Sequence, residues 1–250
     1  MPGIDAYSSG QLAWAAAALF FAFMCRGLSG FGAGLIATPL LALALPMHVI
    51  VPLNSLLVSV LFVFLSIRDR REVVWGELKL LVVPTIAGVI AGLVLFKSLN
   101  NQVLLMLLGG FLVVYAIYTL AVHVFGLPKL QCSKAWSFPA AMSGAFIDTL
   151  FGGGGGTLVV IYLHARGLAK LQFRATVATL WLMEMVARLG GYSAAGFYRR
   201  DVLVLAFIML PFIVAGTWAG ERLGNRIRQE TFSKVLAVML FLAGINLLVR

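Results

Sequence analysis

Ten apolar runs divide this chain, at residues 12–28, 34–46, 49–67, 78–97, 102–125, 137–151, 156–165, 172–190, 202–221 and 231–249. Only four ionisable residues fall clearly inside them: Arg26, Asp148, Glu184 and Arg188. In hydrocarbon the backbone must satisfy its own N–H and C=O groups, so runs of this kind read as membrane helices. Composition agrees, with 62% apolar and 11% charged residues and a mean hydropathy of +1.02; soluble domains carry about a quarter charged residues. The expected class is therefore an all-α polytopic membrane protein, with lipid as its surroundings. The net charge of +10 would suit a polyanion. Its basic residues, however, sit in short clusters between apolar runs, where positive-inside topology accounts for them, and no nucleic-acid partner is expected.

The N-terminal "MPGIDAYSSGQ" has no basic region and includes Asp5, so the first run is expected to be a retained helix and not a cleaved signal peptide. Cys25 and Cys132 are too few for a disulfide framework, and no His/Cys cluster has metal-ligand spacing. Neither metal nor cofactor is expected.

A helix needs about 20 residues to cross a hydrocarbon core of about 30 Å. The second and seventh runs are far shorter, and each follows a glycine-rich break: "RGLSGFGAGLIATPL" from Arg26 to Leu40, and "DTLFGGGGGTLVVIY" from Asp148 to Tyr162. Such breaks survive in a bilayer only where protein or a polar cavity surrounds them. The two runs are expected to be half-helices or interrupted helices.

The breaks recur because the chain repeats itself. Gly34 aligns with Gly156 and Asn54 with Thr176; further on, Pro84 falls near Pro211, Gly88 on Gly216 and Gly92 on Gly220. The expected organisation is an N-terminal repeat over 1–125 and a C-terminal repeat over 126–250, forming one transport domain. Each repeat holds a broken helix pair, re-entrant or fully crossing, and three transmembrane helices. Either way the number of crossings per unit is odd, so the two copies are inverted. Basic residues test that parity. One face collects Arg68, Arg70, Arg71, Lys79, Lys129, Lys134, Arg166, Lys170, Arg174, Arg222, Arg226, Arg228 and Lys234, and the other only Lys97, Arg199, Arg200 and Arg250. This bias puts both termini outside.

Small residues four apart in "PTIAGVIAG" and "PFIVAGTWAG" are expected to let helix backbones approach closely. Trp75, Trp136, Tyr192, Phe197 and Tyr198 lie near segment ends and are expected to anchor at the membrane interface. Trp14, Trp181 and Trp218 lie deeper and take no assignment from sequence.

Ionisable residues within a membrane usually face a bundle interior or an aqueous path and find partners. Arg26 and Asp148 occupy equivalent repeat positions, about one turn before their breaks, and inversion would bring these opposite charges together near the midplane. Glu184 and Arg188 are spaced i, i+4 for a local ion pair; a structural pair and a substrate or proton role both remain open. Half-helices starting near the midplane would present unpaired N–H groups and positive dipole ends, which suit an anion. The candidate substrate-binding residues are Arg26, Ser29, Gly30, Gly32 and Gly34 at the first break. Gly152, Gly153, Gly154, Gly155 and Thr157 are their counterparts at the second, with Asn54 and Thr176 on equivalent helices. Asp148, Glu184 and Arg188 are candidates for coupling, to a proton or other ion, or for ion pairing.

The stretch leading to "ATPLLALALPMHVIVPLNSLL" (Ala37 to Leu57), repeated more loosely from Gly152 to Leu180, together with the paired Pro and Gly helices, resembles the TauE/SafE sulfite exporter family, also called the toluenesulfonate uptake permeases. The resemblance covers almost the whole chain. It implies transport of small sulfur-containing anions, such as sulfite or sulfonates, across the inner membrane. Two departures stand out: Asn54-Ser55 where the family often has Thr-Ser, and Ile161 opposite Pro39. Two other functions fit parts of the sequence. An anion channel can also use helix dipoles, and "GLSG" (Gly27 to Gly30) matches a rhomboid-type intramembrane serine protease. That protease reading needs a histidine near Ser29, whereas His48, His123 and His164 map to segment ends or loops.

Overall fold

Every apolar run forms a helix. The structure, a computed structural model, describes residues 7–29, 32–68, 70–125, 133–223 and 229–249. Gly30, residues 126–132 (Cys132 among them) and residues 224–228 lie outside that description, as do the side chains at 29, 60, 61, 64–68, 123–125 and 229–234. In chain order the helices are α1 (Ser9–Ser29), α2 (Ala33–Leu41), α3 (Met47–Arg68), α4 (Trp75–Ser98), α5 (Asn101–Phe125), α6 (Ser137–Phe151), α7 (Gly156–Ala165), α8 (Lys170–Ala194), α9 (Arg200–Leu223) and α10 (Gln229–Val249). There is no strand among the described residues. Among the described residues four helices are long and apolar enough to cross a membrane, at Ser9–Leu28, Trp75–Ser98, Asn101–Val122 and Arg200–Leu223. As expected, α2 and α7 are short, at 9 and 10 residues.

The helices gather into two compact units, and each draws on both sequence halves. One comprises Met1–Ile50, Leu99–Pro128 and Arg199–Arg250; the other comprises Val51–Ser98 and Lys129–Tyr198.

In the first unit α1 packs along α9, and α5 along α10. Glycine makes both contacts possible. A Cβ added at Gly216 would fall on the carbonyl oxygen of Phe20, and one at Gly220 on that of Met24. From the other side, a Cβ on Gly27 would lie 2.6 Å from the carbonyl oxygen of Thr217. The α5–α10 crossing is reciprocal: a Cβ on Gly109 would stand 2.9 Å from the Gly244 carbonyl oxygen, and one on Gly244 2.9 Å from that of Gly109. Backbones this close gain dispersion contacts that larger side chains would forbid.

In the second unit α4 packs along α6 by the same device. A Cβ on Gly88 would fall on the carbonyl oxygen of Met142, and one on Gly92 would lie 2.7 Å from the Thr149 Cβ and 3.1 Å from the Phe146 carbonyl oxygen. Under the sequence alignment Met142, Phe146 and Thr149 are the counterparts of Phe20, Met24 and Gly27, just as Gly88 and Gly92 are those of Gly216 and Gly220. The same glycine-on-carbonyl contact thus occurs once in each unit, between α1 and α9 in one and between α6 and α4 in the other. An apolar core of Val73, Leu78, Leu81, Val159, Leu163 and Leu180 fills the space between α4, α7 and α8.

The tryptophans left open by the sequence now have places. Trp14 donates its indole N–H to the carbonyl of Leu40 at 2.8 Å, tying α1 to the end of α2. Trp181 lies against Gly156 at the start of α7. Trp218 is exposed, with the Arg222 guanidinium 3.8 Å over its ring. Trp75 and Trp136 are also exposed at their helix starts. Tyr192 departs from the interfacial role expected of it. It is fully buried, donates to the Thr149 carbonyl at 2.5 Å, and packs edge-on against Phe96 and Phe197. Proximity to the end of α8 misplaced it, because α6 and the loop after α8 fold over that end.

Candidate functional site

At the second break the chain turns on itself. α6 stops at Phe151 because Gly152 takes the left-handed conformation, φ 76°, and returns its N–H to the Asp148 carbonyl at 2.8 Å. Gly154, at φ 105°, makes a second turn that only glycine takes without strain. The chain then re-enters helix at Gly156. This path brings the first amides of α7 back over the last turn of α6, where Asp148 waits. The Asp148 Oδ1 accepts the Gly155 N–H at 2.8 Å. One of the amide donors orphaned at a helix start is thereby satisfied by an internal carboxylate. Contact is close enough that a Cβ on Gly155 would fall on the carbonyl oxygen of Gly144.

Asp148 belongs to a buried polar cluster. Asp148, Glu184 and Arg188 are 6%, 3% and 0% exposed. Arg188 meets Glu184 at 3.4 Å, the ion pair its i, i+4 spacing allows, and donates a shorter bond of 2.9 Å to the Ser55 Oγ. Its charge also bears on Asp148 and Tyr192. Sequence inspection found three of these residues by their charge. It missed Ser55 and Tyr192, because a serine or tyrosine in an apolar run is ordinary until its partner is known.

The first break is built differently. Gly32 caps α2 in the left-handed conformation, φ 87°, with no side-chain hydrogen bond at the cap. Gly34 is buried at the second position of the helix, and Gln11 and Trp14 of α1 donate to the carbonyls of Ala44 and Leu40 at its far end. Arg26, in the last turn of α1, is buried at 8% exposure. The opposite charge that bears on Arg26 is Glu221 of α9, and the one that bears on Asp148 is Arg188. The Ser29 side chain and Gly30 fall outside the described residues.

The remaining candidates lie in the second unit. Gly153, Gly154 and Thr157 are half-buried around the start of α7. Asn54 is fully buried in α3. Thr176, also fully buried, accepts the Val74 N–H at 3.0 Å and so fixes the chain entering α4. A separate polar knot ties α4 to α7: the Glu77 carboxylate accepts the Tyr162 hydroxyl at 2.7 Å and pairs with Arg166 at 2.9 Å. Glu77 raises the pKa of the Arg166 guanidinium, by hydrogen bond first and by charge second. His48 and His164 sit near helix ends, at the start of α3 and the end of α7.

No significant match was found among curated proteins or among solved structures. The family model for the sulfite exporter TauE/SafE matches residues 15–247, from within α1 to the last turn of α10. It takes in both glycine breaks and the buried cluster, and it describes membrane transporters, not enzymes. With its apolar helices and a match over nearly its whole length, this integral membrane protein belongs to the sulfite exporter TauE/SafE family.

Proposed function

We propose that this chain is a secondary transporter that moves small sulfur-containing anions, such as sulfite or sulfonates, across the bacterial inner membrane by alternating access. Its two repeats are inverted, both termini lie outside, and the anion is held by the backbone at the glycine breaks. The observation that carries this reading is the recurrence of one broken pair, α1–α2 and α6–α7, at equivalent positions of a duplicated chain. Support for the duplication comes from the glycine-on-carbonyl contacts, which repeat at aligned positions.

The breaks contribute unequally. At the second, the Asp148 carboxylate already accepts the hydrogen bond that the Gly155 amide donates at the start of α7. At the first, the aligned residue is Arg26, a cation about one turn before the break that leads into a half-helix. A dehydrated anion needs just such a combination of amides and positive charge. The first break, with Arg26, Ser29, Gly30, Gly32 and Gly34, is therefore the primary anion site. The second, with Gly152 to Gly155 and Thr157, is the equivalent candidate in the other repeat.

Purified protein in liposomes provides the test. Sulfite and a set of sulfonates should move faster than carboxylates and phosphate, with saturation and counterflow, and Arg26→Ala should abolish that flux while the protein stays folded. Sulfur-anion flux no higher than in protein-free vesicles would end the reading; flux without saturation or counterflow would mean a channel.

A further inference from the structure

The buried cluster of the second unit holds two carboxylates and one guanidinium. Resting on the transporter reading above, we infer that Glu184 binds the exchangeable proton of the transport cycle, so that the anion moves together with or against a proton.

Charge counting leads there. With Asp148, Glu184 and Arg188 all ionised, the cluster would carry a net negative charge at no more than 6% exposure. An uncompensated charge in such surroundings is strongly disfavoured, and the cheapest remedy is a bound proton. The other groups facing the cluster do not supply the missing cation. The charges that bear on Glu184 are Asp148 from α6 and Arg188 from its own helix. Tyr192 and Tyr198, at the end of α8 and just beyond it, are phenols, and the Tyr192 hydroxyl is spent on the Thr149 carbonyl. On α4, which packs against both α6 and α8, Glu77 is engaged by Tyr162 and Arg166.

Hydrogen bonding then chooses between the carboxylates. Asp148 receives the Gly155 N–H at 2.8 Å at the positive end of α7, a short bond from a donor that favours the ionised form. Glu184 has, among the described residues, one bond, the 3.4 Å contact with Arg188, and Arg188 makes its shorter bond to Ser55. Asp148 thus stands as the fixed anion and Glu184 as the carrier. The step balances simply: Glu184 takes a proton from water on one side and returns it to water on the other, and no other bond changes.

Two measurements test this. Infrared difference spectra of the reconstituted wild type should contain a protonated-carboxyl band. It should shift when glutamate carboxyls are labelled with carbon-13 and vanish in Glu184→Gln. A band indifferent to glutamate labelling, a band that survives Glu184→Gln, or no band at all would overturn the assignment. In vesicles, a one-unit pH gradient should sustain about a tenfold accumulation of methanesulfonate for one proton per anion. The charge of that anion does not titrate near neutrality, and the dependence on the gradient should disappear in Glu184→Gln. Methanesulfonate or sulfite flux that ignores the gradient in the wild type refutes the proton while leaving the carrier intact. Absence of any sulfur-anion flux refutes the carrier reading, and the infrared band then decides the proton site alone. If Glu184→Gln does not fold, the labelled wild-type spectrum and the wild-type gradient response still decide.

Discussion

Replacing Arg188 by methionine tests whether the buried cluster is held together by charge. The substitution keeps an unbranched stem of similar shape as far as the Nε position and removes the only guanidinium facing Asp148 and Glu184 among the described residues. Removing one partner of a buried ion pair costs about 3–5 kcal/mol, because the other charge is stranded. The loss at Ser55 is small, since its hydroxyl still donates to the Val51 carbonyl at 3.0 Å. For a chain of this size each kcal/mol lowers the melting temperature by about 2–4 °C, so Arg188→Met should melt about 6–20 °C below wild type in detergent. The stranded charge is chiefly that of Asp148. Adding Asp148→Asn should therefore recover about 1–3 kcal/mol, the scale of coupling found between residues of one network. A fall of less than about 2 °C for Arg188→Met, or a double variant whose loss is the sum of the two single losses, would refute the electrostatic account.

Other substitutions separate close packing from conformation. Gly88→Ala and Gly216→Ala push a Cβ into the carbonyls of Met142 and Phe20 and should each cost about 1–3 kcal/mol. Gly110→Ala and Gly190→Ala, where a Cβ meets nothing within 4 Å, should be neutral or stabilising in the same melts. Gly32→Ala has room for its Cβ but not the backbone, φ 87°, and should lose about 1–2 kcal/mol. Bulky replacements at Gly32 or Gly154 should also eliminate sulfonate flux in folded protein; near wild-type flux would remove these glycines from the site. Thr176→Val leaves the Val74 N–H unsatisfied at a cost of about 1–3 kcal/mol, and Thr176→Ser should restore most of it.

Helix boundaries were legible to within a few residues, because in lipid a polar flank or a glycine break ends an apolar run. The runs at 137–151 and 156–165 became α6 and α7 with the same limits. The four interior charges were also legible as a set, since membrane burial makes each of them exceptional. Their partners were not. Asp148 bonds Gly155 only because Gly152 and Gly154 reverse the chain between them, a geometry that a run of five glycines permits but does not dictate. Glu77 and Tyr162 are 85 residues apart in sequence, and nothing local to either one points to the other. Packing of α4 near α7 makes them a pair. Tyr192 shows the same limit, for its burial depends on helices that close over it.

The interleaving of the two units also sets an order of assembly. Every segment of the second unit has been synthesised once Tyr198 is made, whereas α1 has to wait for α9, which starts at Arg200. At about 5–20 residues per second that wait is roughly 10–35 s. Throughout it the face of α1 bearing Phe20, Met24 and Gly27 is without its glycine-lined partner. During biogenesis α1 is the segment that depends on lipid or an insertion chaperone, and truncations before α9 should be degraded through it.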